Sequence, residues 1–400
     1  MLSALNWDFA DMKMAFKLVW FMSAAAALAT FLCFVPMAFG QGANRLPAEL
    51  IYRDWLKPPF KWATVDKGTG AVRELPDAAT TLRDKLKSTI DDAKSLVARN
   101  DVIGLLLLEK DGSVLFEAYK QGATASDRMI GYSLSKSATS VAIGQALCDG
   151  LLLSIDDPAE RHSDALSATA YGAATIKDLL TMSSAGKIPE AAGQPVPGWT
   201  TALLRTQSRT IREGLTEYGS GGKDASKRGH FEYKNFDAYA LGFAASGASK
   251  QPFHTYFSIA VWQKIGAESD AAWLTDRNGD TATAEGFGAR LRDWGRFALY
   301  VRDMVTAGDG QGSCLSLYLK DATTTRISND SGRISKDFRG YGYMFWNENW
   351  MIKGPSFWMT GFGGQRIGVD LKSGRTLVLI SNAEDFMPAV YRVFDKWAQQ

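Results

Sequence analysis

The chain has 400 residues, of which 46% are hydrophobic and 22% are charged. This is the composition of an ordinary globular protein, and its length permits one large domain or two smaller ones. The formal net charge of +2 is not the large positive excess that is typical of proteins that bind nucleic acid, so we expect no nucleic-acid partner.

The first 40 residues have the layout of an export signal. Lys13 and Lys17 precede a long apolar run over 18–40, and the small residues Ala38 and Gly40 stand at −3 and −1 of a cleavage site. A basic start, an apolar stretch and a small-residue cleavage site in this order predict a signal peptide. The run is also long enough to cross a bilayer, so an uncut leader that anchors the protein in the inner membrane is the alternative. Both alternatives predict an exported protein, periplasmic or secreted.

Three cysteines bear on the redox state of the chain. Cys33 lies in the leader, Cys148 falls in a predicted helix, and Cys314 lies near a predicted loop. The last two could pair in an oxidising compartment. Two unpaired, buried thiols are an equally good interpretation, so the sequence leaves the pairing open.

The N-terminal part predicts an irregular lead segment, a helix and a β-hairpin. Residues 41–75 contain Pro and Gly breakers, and 78–98 carry apolar residues at helical spacing. The β-rich runs 102–108 and 114–119 flank an Asp-Gly pair, which is a hairpin signal. We treat 41–99 as a lead segment and 100–400 as the main domain.

The middle of the chain, from about 150 to 300, predicts mostly helices and loops. Thr175 and Asp178 have the spacing of a capping box for a helix over 176–182. Two further runs predict buried or amphipathic helices, at 236–245 and 285–300.

Short strands return after residue 340 and are followed by a last helix. The predicted strands are 341–346, 357–360, 367–370 and 376–381, and the helix is 388–397 with Pro388 in its first turn. Strands at both ends and helices between them predict an α+β fold. In this fold an antiparallel sheet, built from the N- and C-terminal parts and flanked by helices, carries an inserted, mostly helical region.

A Ser-x-x-Lys pattern at Ser133 and Lys136 stands where a strand region gives way to an apolar helix. Residues three apart on a helix share one face. A partly buried lysine has a lowered pKa and can accept the proton of a serine hydroxyl, which makes the serine a nucleophile. The alternative is a serine N-cap beside a solvated lysine. The same pattern also occurs in two glycine-containing loops, at Ser184/Lys187 and Ser220/Lys223.

Two further features favour the catalytic interpretation. Tyr233 and Asn235 form the only Tyr-x-Asn among 13 tyrosines; the phenol would shuttle a proton and the amide would orient Lys136 or the substrate. The segment 359–365 contains Gly361 and Phe362 in a Gly-rich turn after a β run. Such a strand edge places a backbone N–H beside a reacting carbonyl, which completes an oxyanion hole with the N–H of Ser133. A core tyrosine and a plain β-turn are the alternatives.

In this order, the three features resemble the serine β-lactamase-related superfamily, in particular its class C branch of β-lactamases, D-alanyl-D-alanine peptidases, esterases and 6-aminohexanoate-dimer hydrolase. The resemblance covers roughly 100–400 and implies the β-lactamase/transpeptidase-like fold. It implies that Ser133 is the acyl-accepting nucleophile, Lys136 its base and Tyr233 a second acid/base. Asn235 would be the neighbour of Tyr233. Gly361 and Phe362 match the third motif, where the N–H of Phe362 would bind the oxyanion.

One departure from the family pattern changes the expected substrate. The third motif usually begins with lysine, which binds a substrate carboxylate, but here that position is Met359, whose thioether cannot do so. Lys353 or Arg366 could substitute. We therefore expect an exported esterase or amidase that cleaves a small ester or amide through an acyl-enzyme, without metal or organic cofactor. The alternatives are a penicillin-interactive peptidase or β-lactamase, and a catalytically silent binding protein on the same fold.

The sequence argues against other hydrolase classes. Only His162, His230 and His254 are present, and no Gly-x-Ser-x-Gly elbow occurs, so a Ser-His-Asp hydrolase is disfavoured. His230 lies near Tyr233 in sequence, although a surface loop is its expected place. No His-Glu-x-x-His or His-x-His pattern supports a zinc hydrolase.

Overall fold

The computed structural model of the protein describes residues 45–187, 190–191, 194–195, 201–220, 228–307, 313–330 and 335–400. The predicted leader at 1–40 lies outside the described residues. Within the part of the chain that is described, no helix is both long and apolar enough to cross a membrane.

The described strands are short, mostly four to seven residues, and fall towards both ends of the chain, around residues 270–290 and in a pair of two-residue strands at 190–191 and 194–195. In chain order they are β1 (Lys61–Val65), β2 (Val102–Leu108), β3 (Val114–Tyr119), β4 (Met129–Ile130), β5 (Glu190–Ala191), β6 (Gln194–Pro195), β7 (Ala271–Thr275), β8 (Phe287–Ala289), β9 (Ile327–Ser328), β10 (Phe338–Tyr341), β11 (Trp346–Asn349), β12 (Ser356–Gly361), β13 (Gln365–Asp370) and β14 (Thr376–Ser381).

The described helices lie mainly between the two groups of strands of the main sheet. In chain order they are α1 (Ala48–Tyr52), α2 (Thr80–Lys85), α3 (Lys87–Arg99), α4 (Leu134–Cys148), α5 (Ala170–Ala173), α6 (Ile176–Leu180), α7 (Ile211–Gly219), α8 (Asn235–Ser249), α9 (Phe253–Ala260), α10 (Leu291–Thr306), α11 (Cys314–Ala322) and α12 (Met387–Ala398).

The main sheet confirms the predicted fold class. Its eight strands run in the order β3-β2-β14-β13-β12-β11-β10-β9, and every neighbouring pair is antiparallel. Strand β14 from the C-terminal part pairs with β2 from the N-terminal part, so the two ends of the chain close one sheet. The predicted Asp-Gly hairpin joins β2 to β3. The fold is therefore α+β, with a largely helical insertion between the two halves of the sheet.

Helices cover both faces of this sheet. Gly295 of α10 lies against Leu106 and Leu108 of β2, where an added Cβ would meet their side chains at 2.9 and 3.0 Å. On the other face, the rings of Tyr391 and Phe394 in α12 lie 5.2 and 4.8 Å from Trp358 of β12. All of β2 is buried, which explains its continuous apolar run.

A second, smaller sheet was not predicted. Strands β1, β7, β8 and β4 form it in that order, whereas the sequence predicted an irregular segment and a helical region there. Strand β7 is buried at every position and so shows no alternation that would reveal a half-buried strand. Strand β8 lies in the first residues of the run 285–300. The helix of this run was expected to start after the glycines, and it begins at Leu291.

The predicted strand 341–346 is also wrong. Tyr341 ends β10 and Trp346 begins β11, and the residues between them form a turn in which the N–H of Gly342 donates to the carbonyl of Phe345 over 2.8 Å. Met344 occupies the left-handed region with φ 64°. The aromatic residues that mimicked a strand are buried at a hairpin turn, where packing overrides β propensity.

The structure confirms one local prediction and decides one question that the sequence left open. Thr175 and Asp178 form a reciprocal capping box at the start of α6. Cys148, at the end of α4, is joined to Cys314, at the start of α11, by a disulfide with Cα atoms 5.6 Å apart. The structure thus shows the paired alternative for these two cysteines.

Candidate active site

Ser133 immediately precedes the first turn of α4 and follows a residue with unusual backbone geometry. Tyr132 adopts a left-handed conformation with φ 45°, which costs energy for a bulky residue and occurs preferentially at functional sites. The side chain of Ser133 makes no capping hydrogen bond to the helix. Its hydroxyl is therefore not occupied as an N-cap and remains available to Lys136.

The turn that contains Tyr132 is fixed by its neighbours. The N–H of Gly131 donates to the carbonyl of Phe287 over 2.8 Å. The hydroxyl of Ser135 donates to the carbonyl of Tyr132 over 2.6 Å and accepts from the N–H of Phe287 over 2.9 Å. These bonds to strand β8 hold the turn before Ser133 in place from the side of the smaller sheet.

Lys136 is buried beneath Ser133, with 1% of its surface exposed. Its Nζ donates to Ser133 Oγ over 3.0 Å, to Asn235 Oδ1 over 2.8 Å and to the carbonyl of Ala284 over 2.8 Å. All three donor positions of an ammonium group are therefore used. The alternative of a solvated lysine beside a capping serine does not hold.

Burial makes Lys136 a stronger candidate for a general base. Loss of solvent lowers the pKa of Lys136 to about 8, while the carboxyl of Glu285 acts in the opposite direction. An amine with this pKa is neutral in a useful fraction of molecules near neutral pH. In its neutral form it can accept the proton of the Ser133 hydroxyl at hydrogen-bond distance.

Tyr233 stands beside both Ser133 and Lys136. Its ring stacks on Trp346 with centroids 5.5 Å apart, and Lys136 Nζ lies 4.9 Å from the ring centroid. Burial raises the pKa of the Tyr233 phenol, and interaction with the Ser133 hydroxyl opposes the rise. The phenol is thus a protonated donor at neutral pH, positioned to relay a proton.

Asn235 is the first residue of α8, so the helix start fixes its side chain toward the site. Its Oδ1 accepts the hydrogen bond from Lys136, 99 positions away in sequence. This contact is compatible with one of the two roles expected for the amide, the orientation of Lys136.

Gly361 and Phe362 lie against the turn before Ser133. A Cβ on Gly361 would meet the carbonyl oxygen of Gly131 at 2.2 Å, and the rings of Tyr132 and Phe362 meet edge to face at 5.9 Å. The backbone N–H groups of Ser133 and Phe362 donate to no other described residue. Two such N–H groups on adjoining segments are candidate donors for an oxyanion hole.

The three positions considered for carboxylate binding differ in their surroundings. Met359 is fully buried in β12. Arg366, which pairs with Thr360 across the strands, donates to the carbonyls of Gly361 and Gln365 and to the hydroxyl of Tyr391. Lys353 is exposed before the start of β12, at the end of the strand away from Gly361, and so does not replace the missing lysine.

The other Ser-x-x-Lys patterns do not reproduce this geometry. The hydroxyl of Ser184 donates to the buried carboxyl of Asp237, while Lys187 is exposed. Ser220 is exposed and Lys223 lies outside the described residues. His230 is exposed, as expected for a surface loop.

Sequence analysis missed two neighbours of Lys136. Ala284 contributes only its backbone carbonyl, which no side-chain pattern reveals. Glu285 is 5% exposed and accepts a hydrogen bond from the hydroxyl of Tyr239. In the sequence, only its position as a single charged residue among small residues could have indicated it. Across the described ranges, no group of three or more His, Cys, Asp or Glu residues is placed to hold a metal ion.

A model of the beta-lactamase family matches residues 90–398. The chain belongs to this family. A 6-aminohexanoate-dimer hydrolase from Paenarthrobacter ureafaciens is 24% identical over 386 residues, which cover 86% of this chain and 92% of that protein. The family is one of hydrolases that use a serine.

Solved structures share the fold. A Bacillus anthracis protein assigned as a 6-aminohexanoate-dimer hydrolase superposes with a TM-score of 0.65 at 17% identity, covering 89% of this chain and 98% of that chain. A class C beta-lactamase superposes with a TM-score of 0.58 at 14% identity, covering 81% and 98%. These likenesses establish a β-lactamase/transpeptidase-like fold.

Proposed function

We propose that this β-lactamase-family hydrolase is an exported esterase or amidase that cleaves a small ester or amide substrate through an acyl-enzyme on Ser133. The observation that carries the proposal is the 3.0 Å contact between Lys136 Nζ and Ser133 Oγ, made by a lysine whose pKa burial lowers to about 8. A silent binding protein has no need of a base held at this distance from a serine.

In the first step, Ser133 Oγ attacks the substrate carbonyl carbon while its proton passes to neutral Lys136. The negative charge on the tetrahedral oxygen is stabilised by the N–H groups of Ser133 and Phe362. Tyr233 delivers its proton to the leaving oxygen or nitrogen and takes up the proton held by Lys136, and the carbon–leaving-group bond breaks. Water then attacks the acyl-enzyme and loses a proton to neutral Lys136. The ester bond to Ser133 breaks, this proton passes to Ser133 Oγ, and the acid is released.

The likeness to 6-aminohexanoate-dimer hydrolase supports a linear amide or ester in preference to a penicillin. Met359 supports the same choice, because its buried thioether stands where family members that bind penicillins and peptides carry a carboxylate-binding lysine. We therefore place esters and linear amides before penicillins in a substrate screen.

The disulfide supports the proposal of export. Disulfides persist in the periplasm and outside the cell and are rare in the cytosol. The pairing of Cys148 with Cys314 therefore agrees with the signal peptide or anchor proposed for residues 1–40.

The direct test is hydrolysis of a short p-nitrophenyl ester by the purified protein and by Ser133→Ala. We expect the substitution to reduce turnover by at least about a thousandfold, since it removes the nucleophile. Intact-mass measurement of the unchanged protein with a slowly hydrolysed ester should show one acyl group, located on the peptide that contains Ser133.

Ser220→Ala is the matched control, because it removes an exposed serine of the same Ser-x-x-Lys pattern. It should retain full turnover. Turnover that survives in Ser133→Ala would exclude Ser133 as the nucleophile, and absence of any acylation in the unchanged protein would favour a binding protein on this fold.

A further inference from the structure

Glu285 is a buried acid whose charge acts on the candidate base, Lys136. It directly follows Ala284, whose carbonyl accepts a hydrogen bond from Lys136 over 2.8 Å. Only 5% of Glu285 is exposed. A buried carboxyl is costly unless nearby groups compensate its charge, so its surroundings indicate its role.

The two carboxyl oxygens of Glu285 have different environments. Oε1 accepts a hydrogen bond from the hydroxyl of Tyr239, which stabilises the ionised form. Oε2 is buried and has no hydrogen-bond partner among the described residues. The carboxylate of Glu285 thus has a single hydrogen-bond donor among the described residues. Its negative charge is balanced by Lys136, a cation to which it makes no direct hydrogen bond.

The segment that carries Glu285 is attached to the two helices of the site. The hydroxyl of Thr139 in α4 donates to the carbonyl of Thr283 over 3.0 Å. The hydroxyl of Thr283 donates to the carbonyl of Ala238 in α8 over 2.8 Å. Tyr239 stands one turn after Asn235 on the same helix, so α8 holds both the amide that contacts Lys136 and the phenol that contacts Glu285.

We propose that Glu285 is a positioning residue that acts on Ser133 through Lys136, by holding a negative charge beside the lysine ammonium and fixing the loop whose carbonyl binds it. This inference rests on the proposed function. The carboxylate favours the protonated lysine, so it opposes the effect of burial and sets the pH at which the base becomes available.

The charged and titratable groups around this pair are few. From the loop before α8, Tyr233 faces Lys136. From α8, Tyr239 faces Glu285, and the charge of Asp276 acts on Tyr239. Burial raises the pKa of the Glu285 carboxyl, while the charge of Lys136 and the hydroxyl of Tyr239 oppose this rise and favour the carboxylate. Arg366 acts on the neighbouring Tyr233.

The test compares the unchanged protein with Glu285→Gln, which keeps the shape and can still accept from Tyr239. Removal of the negative charge should lower the apparent pKa of Lys136 by about one unit. The rate of covalent labelling of Ser133 by a fluorophosphonate probe, measured from pH 5.5 to 10, should therefore shift to lower pH. At pH 6.5 the rate relative to its plateau should rise about fivefold to tenfold.

Tyr239→Phe is a second variant that leaves the carboxyl in place and removes only its donor. A less stabilised carboxylate carries less charge, so the profile should shift in the same direction by a smaller amount. Asp91→Asn, which removes one exposed negative charge on α3, is the control and should leave the profile unchanged. A merely structural role for Glu285 would lower the plateau without moving the pH midpoint.

A readout independent of activity separates this inference from the proposed function. The titration of the Lys136 amine can be followed by NMR of protein labelled with ¹⁵N-lysine, with the signal assigned by its loss in Lys136→Ala. A lower midpoint in Glu285→Gln supports the inference, and an unchanged midpoint overturns it, as does an unshifted labelling profile in both variants. Failure of Ser133 labelling in the unchanged protein would instead overturn the proposed function.

Discussion

At the scale of single residues, the site depends on groups whose side-chain chemistry and burial act together. Tyr233 illustrates this, since its ring stacks on Trp346 while its hydroxyl faces Ser133. The ring packs against its neighbours, whereas proton transfer is the role that we propose for the hydroxyl, so the two can be tested separately.

Tyr233→Phe should lower kcat for p-nitrophenyl ester hydrolysis by about 10²- to 10⁴-fold, the range typical of lost acid–base catalysis. Because the ring and its stacking remain, Tm should change little. Tyr341→Phe is the matched control, since the ring of Tyr341 lies 6.2 Å from that of Tyr233 but its hydroxyl donates to the sulfur of Met344. Equal losses in both variants would show that Tyr233 acts through packing.

Gly361→Ala should damage the oxyanion hole. The new Cβ would lie 2.2 Å from the carbonyl oxygen of Gly131, and a backbone atom cannot move aside cheaply. The strand edge must then shift away from Ser133, and we expect kcat/KM to fall by about 10²- to 10³-fold, as for loss of one oxyanion donor.

Gly70→Ala is the control for this change, because its Cβ would meet only the carbonyl of Gln263 at an ordinary 3.6 Å. Steady-state kinetics of both variants, with thermal unfolding measured in parallel, separates a local effect from general destabilisation. Unchanged kcat/KM in Gly361→Ala would show that this edge does not contact the reacting carbonyl.

At the scale of elements, the start of α8 is held against the loop that follows α6. The N–H of Glu232 donates to the carbonyl of Met182 over 2.8 Å, and Lys234 Nζ donates to the carbonyl of Ser184 over 2.5 Å. The hydroxyl of Ser184 donates to Asp237. These contacts fix the segment that contains Tyr233 and Asn235, so the loop after α6 supports the position of both residues.

Asp237 makes this support sensitive to pH. Burial raises the pKa of its carboxyl to about 6, although Lys234 and Ser184 oppose the rise. Because the unfolded value is about 3.9, the stability contributed by protonated Asp237 is complete below that value and is lost as pH rises through about 6. This group should remove about 1 kcal/mol from the free energy of unfolding between pH 5 and pH 7.5.

Asp237→Asn abolishes this titration while keeping an acceptor for Ser184. The free energy of unfolding, measured with urea at pH 5 and at pH 7.5, gives the change with pH for each protein. The loss on going from pH 5 to pH 7.5 should be about 1 kcal/mol smaller in the variant than in the unchanged protein. The same pH dependence in both proteins would mean that Asp237 is ionised throughout this range.

The elements themselves were predictable where their pattern is local. The Asp-Gly hairpin of β2 and β3, the capping box of α6 and the Pro-initiated helix α12 are all present. The smaller sheet was missed because β4 has only two residues and β8 only three. Strands this short have no period of their own and exist because neighbouring segments pair with them.

At the scale of the whole molecule, the disulfide joins the C-terminal end of α4, the helix that follows Ser133, to α11. Cys148 and Cys314 are separated by 166 positions, so the bond restricts a long loop of the unfolded chain. In the chain-entropy description such a bond stabilises the folded state by roughly 4–5 kcal/mol.

The double variant Cys148→Ser/Cys314→Ser should lose about this amount of unfolding free energy, within the usual range of about 2–5 kcal/mol. Urea unfolding of the oxidised protein, with and without dithiothreitol, provides the comparison. Dithiothreitol should destabilise the unchanged protein toward the level of the variant and should not affect the variant. If the unchanged protein had the same stability with dithiothreitol, without it and in the double variant, the disulfide would not form in solution.

The sequence by itself determined the order of the three motifs and the candidate residues Ser133, Lys136 and Tyr233, because these follow from residue type and short spacing. The family was expected from the resemblance that these motifs carry. The tertiary structure alone decided the burial of Lys136 and its bonds to Asn235 and Ala284, which lie 99 and 148 positions away. It also decided the cysteine pairing and revealed Glu285. Periodicity and spacing report only on near neighbours in the chain, whereas desolvation and charge compensation depend on which distant segments the fold brings together.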